Sequence, residues 1–122
     1  MILRNGVDLV EIQRFAELKA EICSRFIQRV LTQNEQKEMK GSLATLAGKF
    51  AAKEAVVKAL GCGIGPITWQ EMEILHDGQG QPCLNLSGNA LQMAKDQKLA
   101  QWSVSISHTR LLAIATAVFI GE

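Results

Sequence analysis

Two carboxylates stand in apolar surroundings, where an unpaired charge costs several kcal/mol or more. Asp8 interrupts an aliphatic run near the N-terminus, although aspartate is depleted in β-strands. Glu54 falls in the middle of an apolar stripe that helical spacing predicts along one face of a long helix. The apolar members of this stripe are Leu43, Ala47, Phe50 and Val57. Each carboxylate therefore needs a nearby cation, a bound metal ion or a raised pKa.

Together, Asp8 and Glu54 indicate a site for a hard cation. At a separation of ~4 Å they would repel each other by about 4 kcal/mol at an effective dielectric of about 20. A magnesium ion would remove that repulsion, and Mg²⁺ typically binds through one or two carboxylates together with water and substrate phosphates.

Plainer interpretations compete with the metal site. Asp8, taken alone, is better explained as a residue that faces solvent on an edge strand. Lys58 follows Glu54 by one helical turn, which is the favourable spacing for a simple Glu–Lys ion pair without function. For Glu54, the helix alone does not decide between such a pair and a functional site.

Further candidate residues follow the long helix and a late strand. The glycine-rich segment Gly61–Gly65 is not a P-loop, because a P-loop precedes its helix and carries Gly-Lys-Ser/Thr. A helix stop with a tight turn is its simplest interpretation. His108 stands where the chain leaves a predicted strand, and a single histidine is weak evidence for a site. His76 is interpreted as a surface residue beside the turn at Asp77.

Length and composition favour one small globular domain, residues 1–122, with a mostly aliphatic core, since 48% of residues are hydrophobic and 5% aromatic. The net charge of +1 excludes the general basic field of nucleic-acid-binding proteins. Three dispersed cysteines without a CxxC motif indicate reduced thiols in a cytoplasmic protein. The longest apolar run, Leu111–Ile120, is half of the ~20 residues that span a bilayer, so we expect no membrane partner.

The elements that position these residues are predicted from periodicity and cap signals. Alternating or aliphatic runs predict five strands: 2–10, 67–75, 82–86, 102–107 and 111–120. Helical spacing and cap residues predict four helices: 11–20, Thr32 to near Lys40, 42–60 and 88–99. The pattern therefore predicts an α+β domain with one long central helix. Because the last strand is nearly all apolar, we expect both of its faces to be covered.

Three segments of the chain carry a family resemblance: Gly6–Ile12, Lys49–Gly61 and Ser105–His108. In this order they resemble the three signatures of holo-[acyl-carrier-protein] synthases, and the similarity extends over essentially the whole chain. The block Phe-Ala-Ala-Lys-Glu-Ala-x-x-Lys within the middle segment is highly specific, whereas the outer two segments would be weak alone.

The resemblance implies a 4'-phosphopantetheinyl transferase fold, in which a long central helix packs on an antiparallel sheet. It also implies a homotrimer with active sites in the clefts between subunits. The implied reaction is the Mg²⁺-dependent transfer of 4'-phosphopantetheine from coenzyme A to a serine of apo-acyl carrier protein, which leaves adenosine 3',5'-bisphosphate. Asp8 and Glu54 would ligate Mg²⁺, and Lys58 would contact the coenzyme A phosphates, so these three are the predicted catalytic residues.

The resemblance also assigns binding residues. The implied coenzyme A contacts are Lys49, Lys58, Gly61, Gly63, Ile64, Gly65 and His108. Arg14 and Arg25 are the predicted docking residues for the carrier protein. The chain departs from the family where Cys62 replaces the usual Thr and where Lys49 replaces the usual Arg, whose bidentate contact a lysine cannot reproduce.

Two other classes of protein and one mechanistic choice remain open at this point. The chain could be a coenzyme A or nucleotide-binding module without transfer activity, against which Asp8, Glu54 and Lys58 argue. It could also be a ferredoxin-like interaction domain in which Glu54 and Lys58 form only an ion pair. The proton acceptor could be a metal-bound water, Glu54 or Asp8, with His108 a weaker candidate that is better explained as a phosphate contact.

Overall fold

A long helix crosses one face of a three-stranded sheet in the computed structural model, which describes all 122 residues. The strands are β1 (Ile2–Glu11), β2 (Met72–His76), β3 (Pro82–Leu86), β4 (Leu99–His108) and β5 (Leu112–Gly121). The α-helices are α1 (Gln13–Ala16), α2 (Ala20–Val30), α3 (Gln33–Met39), α4 (Leu43–Leu60) and α5 (Gly88–Asp96). None of these helices has the length and hydrophobicity needed to cross a membrane.

The strands form two antiparallel sheets. The larger sheet has the order β1-β5-β4, and β2 pairs with β3 as a hairpin. Asp8 of β1 lies opposite Ala115 of β5, which in turn lies opposite Ile106 of β4. The predicted α+β class, the antiparallel sheet and the long central helix are therefore confirmed.

Small residues allow α4 to lie close to the larger sheet. Ala113, Ala115 and Ala117 of β5 are fully buried on the side that faces the helix. On β1, a Cβ atom added to Gly6 would overlap the carbonyl oxygen of Ala55. Only glycine fits this approach, which brings the Asp8 segment of β1 against α4.

A buried ion pair fastens α4 to the elements around it. Lys53 Nζ donates to Glu35 Oε1 at 2.6 Å, to the Val30 carbonyl at 2.6 Å and to the Trp69 carbonyl at 3.1 Å. Glu35 Oε2 also accepts from the backbone N–H of Ile74 at 2.9 Å. Burial lowers the pKa of Lys53, and the neighbouring Glu35 counteracts that effect. The pair connects α2, α3, α4 and β2 within the core.

Several predicted helix boundaries are confirmed. Thr32 caps α3 in a capping box with Glu35, and Lys40 ends it in the left-handed conformation with φ 50°. Ser42 caps α4 by accepting from the backbone N–H of Thr45, and Gly61 ends that helix at φ 71°. These single residues determine where the helices start and stop.

Other expectations were wrong. The helix predicted for 11–20 is only the single turn α1, and α2 was not predicted at all. The strand predicted from residue 67 begins at Met72, because Thr68 and Glu71 form a capping box around a 3₁₀ turn at Trp69–Glu71.

The expectation that both faces of the last strand are covered was also wrong for the isolated chain. The helix-facing residues of β5 are buried, but the alternate ones on the opposite face are 37–40% exposed. The large apolar residues of this outer face are Leu112, Ile114, Val118 and Ile120.

Candidate active site

Lys58 reaches across from α4 to β1. Its Nζ lies 3.1 Å from Asp8 Oδ1 and donates to the carbonyl of Val7 at 3.0 Å. The close approach of Gly6 to α4, two residues before Asp8, makes this reach short enough. The simple Glu54–Lys58 ion pair was therefore the wrong interpretation, since the lysine pairs with the strand aspartate instead.

Glu54 lies on the least covered side of α4, between Phe50 and Lys58 at four-residue spacing. Its half-buried carboxylate forms no salt bridge, because the ion pairs of this region join Lys58 to Asp8. Burial raises the pKa of Glu54, the nearby Asp8 carboxylate raises it further, and Lys58 only partly offsets them. Two carboxylates thus share one partly exposed cation at the edge of the sheet.

This pair of carboxylates fits a magnesium ion by its donor chemistry. No cluster of three or more His, Cys, Asp or Glu side chains is present that could hold a metal ion by itself. Mg²⁺ does not require one, because it usually keeps several waters and takes one or two carboxylates with substrate phosphates. Asp8 and Glu54 supply two such oxygen donors, and a cation there would relieve the repulsion that raises the pKa of Glu54.

The glycine-rich segment closes the C-terminal end of α4. The amides of Gly61 and Cys62 bond back to the carbonyls of Lys58 and Val57 at 3.2 Å each, and Gly65 adopts φ 136°. The Cys62 thiol is half-buried, and burial raises its pKa.

Two open cavities flank this segment. One of about 520 Å³ is lined by Lys58 and Gly61, and another of about 460 Å³ is lined by Ile64 and Gly65. Gly63 is exposed between them.

The other predicted contacts, Lys49 and His108, meet at a separate cavity of about 150 Å³. Lys49 is fully buried, and its Nζ donates to Glu38 Oε1 at 2.6 Å and to the carbonyl of Ile74 at 2.5 Å. Its ammonium is therefore engaged within the protein, which does not support a direct Lys49 contact with a ligand. The same cavity is lined by His76, whose side chain is 32% exposed beside the turn at Asp77 and also contacts Glu38.

The predicted contacts therefore fall into two groups on opposite edges of the larger sheet. Asp8 belongs to edge strand β1 and His108 to edge strand β4, with β5 between them. Neighbouring strands lie ≈ 4.8 Å apart, so roughly 10 Å of sheet separates the two edges. The isolated chain does not bring all of these residues into one pocket.

The predicted docking residues are presented on the first two helices. Arg14 of α1 and Arg25 of α2 are exposed, and neither forms a salt bridge within 4.0 Å. Tilted and edge-to-face aromatic rings pack these helices against α4, with ring centroids 5.3 Å apart for Phe15 and Phe26 and 5.1 Å apart for Phe26 and Phe50. The two exposed arginines are therefore carried on helices that pack beside Phe50 of α4.

Comparison with known proteins decides the family. The model of the 4'-phosphopantetheinyl transferase superfamily matches residues 4–117. The chain belongs to this superfamily. One relative, the holo-[acyl-carrier-protein] synthase of Alkaliphilus metalliredigens, is 42% identical over 121 residues, covering 97% of this chain and 98% of its own. The synthase of Natranaerobius thermophilus is 37% identical over 125 residues, with full coverage of both chains.

Solved structures of the superfamily agree with the fold. The holo-[acyl-carrier-protein] synthase of Helicobacter pylori, in complex with coenzyme A, matches with a TM-score of 0.85 at 31% identity, covering 95% of this chain and 99% of its own. The synthase of Bacillus anthracis, with bound coenzyme A (3',5'-ADP), matches with a TM-score of 0.78 at 31% identity, covering 98% and 96%. The family resemblance inferred from the sequence is confirmed.

Sequence reasoning missed two residues beside the predicted contacts. Glu38 and His76 form a polar cluster with Lys49, although His76 follows Glu38 by 38 residues. One signal was available for Glu38: it follows Glu35 by three residues in a predicted helix, so both carboxylates project from one face toward α4. No local pattern connected them with His76.

Proposed function

We propose that this chain transfers the 4'-phosphopantetheine group of coenzyme A to a serine of an apo-acyl carrier protein. The observation that carries the proposal is the convergence of Asp8, Glu54 and Lys58 at one edge of the sheet. It is supported by relatives called holo-[acyl-carrier-protein] synthases at 37–42% identity over nearly the full length. The superfamily member from Helicobacter pylori was solved with coenzyme A bound. We take residues 1–122 to act as one synthase domain.

The proposed reaction is a phosphoryl transfer in which positioning and charge neutralisation dominate. The serine oxygen bonds to the phosphorus that carries the pantetheine arm, and the bond from that phosphorus to the adenosine bisphosphate breaks. Lys58 places a cation where the leaving oxygen becomes negative. Its side chain is 54% exposed beyond its contact with Asp8, so it is accessible to a ligand.

Asp8 and Glu54 would hold Mg²⁺, which supplies positive charge to the pyrophosphate when it is bound. The chain's own contribution is to keep these two carboxylates close together despite their repulsion. Gly6 provides that proximity by letting β1 approach α4.

We also propose a homotrimer with sites between subunits, as the family resemblance implies. Two observations support association: the predicted contacts divide between opposite edges of the sheet, and its outer face is apolar. Leu3, Val7 and Leu9 of β1 are 50–61% exposed on that face, beside the apolar outer residues of β5. A contiguous patch of this kind marks a contact surface, and a closed ring would place the β1 edge of one subunit near the β4 edge of the next.

For the carrier protein, we propose docking on α1 and α2. Arg14 and Arg25 supply unpaired positive charge, and Leu18 and Ile22 add apolar surface that is 36% and 48% exposed. An acidic partner helix would complement this surface. Cytoplasmic location stays a prediction, which three free cysteines support.

Intact-mass measurement of an apo-carrier protein incubated with the chain, coenzyme A and Mg²⁺ tests the proposal. We expect the carrier to gain the mass of one phosphopantetheine group, and a carrier with its acceptor serine replaced by alanine to gain nothing. A binding module without transfer activity would show thermal stabilisation by coenzyme A but no mass change. An interaction domain would show neither effect.

A further inference from the structure

Arg4 is a cation without an acidic partner in the chain. Side chains alternate between the two faces of a strand, so Arg4, Gly6 and Asp8 share the face of β1 that meets α4. Arg4 is exposed, and none of the ion pairs in the structure includes it. Its guanidinium therefore presents a planar fork of N–H donors, which matches the geometry of a phosphate or a carboxylate.

The cavity beside Arg4 contains a second cation. This is the open cavity of about 520 Å³ at the C-terminal end of α4, which is lined by Arg4, Asn5 and Gln97 as well as by Lys58 and Gly61. The side chain of Lys58 is 54% exposed there, and no carboxylate lines the cavity. Two cations on one cavity wall create a positive potential that favours an anionic ligand.

The end of α4 does not require Arg4 as a cap, although a cation near a helix C-terminus is often stabilising. Gly61 ends the helix, and its amide and that of Cys62 bond back to carbonyls of the last turn at 3.2 Å each. Gln97 Nε2 donates to the carbonyl of Leu60 at 2.8 Å. Because other donors satisfy these carbonyls, the Arg4 guanidinium is available to a ligand.

The order of the elements indicates which part of the ligand reaches Arg4. Strand β1 leads directly into α1, which carries the proposed docking residue Arg14, so the serine of the carrier protein approaches from the Asp8 end of the strand. The attacking and leaving oxygens of a phosphoryl transfer lie roughly in line. The leaving group therefore extends away from that end, toward Arg4, which is about 13 Å from Asp8 along the extended strand.

We propose that Arg4 binds the 5'-phosphate of the leaving adenosine 3',5'-bisphosphate, in the cavity that it shares with Lys58. This inference rests on the proposed function, which places the pyrophosphate of coenzyme A at Asp8, Glu54 and Lys58. A free phosphate monoester carries a charge of about −1.5 to −2 at pH 7, which is more than the same phosphate carries inside the pyrophosphate. Arg4 therefore holds the product more strongly than it holds coenzyme A.

Isothermal titration calorimetry of the full chain with adenosine 3',5'-bisphosphate, in buffer that contains Mg²⁺, tests the inference. We expect Arg4→Gln to raise the dissociation constant about tenfold, because a charge-assisted hydrogen bond is lost. Arg4→Lys should raise it less, because the charge remains. Adenosine 3'-phosphate, which lacks the 5'-phosphate, should bind equally to all three proteins. Lys95→Gln is the matched control, since it removes an exposed charge of α5 that does not line the cavity.

Further measurements separate ligand binding from a structural role. In Arg4→Gln, inhibition of transfer by adenosine 3',5'-bisphosphate should weaken by the same factor, with the midpoint of urea unfolding unchanged. Unchanged binding of the bisphosphate, or an equal loss for adenosine 3'-phosphate, would overturn the inference. Smaller assemblies of Arg4→Gln in sedimentation velocity would assign Arg4 to a contact between subunits and would also overturn it. A wild-type chain that binds the bisphosphate but transfers no phosphopantetheine would contradict the proposed function alone.

Discussion

Replacing Lys58 with alanine should lower the rate of transfer strongly while changing the free energy of unfolding only slightly. In the folded chain Lys58 contacts Asp8 Oδ1 at 3.1 Å and the carbonyl of Val7 at 3.0 Å, and its side chain is 54% exposed. Ion pairs with this much solvent exposure contribute about 0–1 kcal/mol. We therefore expect Lys58→Ala to lower the free energy of unfolding by less than about 1 kcal/mol.

The effect on transfer should be much larger. The charge of Lys58 is most valuable as negative charge builds on the leaving phosphate, so its loss raises the barrier more than it weakens coenzyme A binding. Removing one such contact costs roughly 3–4 kcal/mol, which corresponds to a loss of about 10²–10³-fold in kcat.

Steady-state transfer kinetics and urea unfolding of the same preparations provide the assay. Lys95→Ala is the matched control, because Lys95 also lies in the last turn of a helix and is exposed. An unchanged kcat with a raised KM for coenzyme A would show that Lys58 serves ground-state binding and would refute the reasoning.

Three further variants test other parts of the structure. Glu54→Gln should abolish transfer. It should also be more stable than wild type at pH 7, by less than about 1 kcal/mol, because the raised pKa of Glu54 makes its ionised carboxylate unfavourable in the folded chain. The stability that Glu54 contributes is fully present only below its ordinary pKa of 4.5 and is lost as pH rises. Urea unfolding at pH 4 should show no difference in stability between Glu54→Gln and wild type. If the variant were less stable than wild type at pH 7, Glu54 would have a stabilising partner in the folded chain. Arg14→Glu should raise KM for the carrier protein and leave KM for coenzyme A unchanged, and added salt should have the same effect on the wild type. If KM for the carrier protein were the same in both proteins and independent of salt, the carrier would dock on another surface. Lys53→Met should lower the free energy of unfolding by about 3–5 kcal/mol, because it leaves Glu35 buried without its cation. A loss under about 1 kcal/mol would show that Glu35 is satisfied without Lys53.

The sequence predicted the helix ends that are set by single cap residues. The cap residues Thr32 and Ser42 and the left-handed Gly61 mark helix ends through contacts within four residues, which the sequence displays directly. The helix α2 was missed although Ile22 and Phe26 stand at helical spacing, because the short turn before it obscured the boundary.

Contacts between distant segments could not be predicted in the same way. Lys53 meets Glu35 across 18 residues, and Lys49 meets Glu38 across 11, only because α3 packs against α4. Lys49 and Lys53 of the middle signature are therefore buried, whereas a sequence pattern normally places lysine in solvent.

The candidate site was predicted in its residues but not in its pairing. Asp8 and Glu54 were found as charges in apolar settings, and the structure places them close enough for Asp8 to raise the pKa of Glu54. Helical spacing left open a simple pair of Lys58 with Glu54, but the approach at Gly6 brings Asp8 within reach of the lysine. Spacing rules describe one helix and do not include a strand that packs against it.

A mixing experiment tests the composite site most directly. Asp8→Ala removes the β1-edge half of the site, and His108→Ala impairs the β4-edge half. Each variant alone should be deficient in transfer, measured as the mass gain of an apo-carrier protein. In a co-expressed 1:1 mixture, half of the β1 edges and half of the β4 edges are intact, so random assembly should restore about one quarter of wild-type activity. A mixture of Asp8→Ala with Glu54→Ala should restore no activity, because both substitutions lie in the β1-edge half of the site. A site shared between subunits would be contradicted if the mixture of Asp8→Ala with His108→Ala were no more active than the mean of those two variants measured separately.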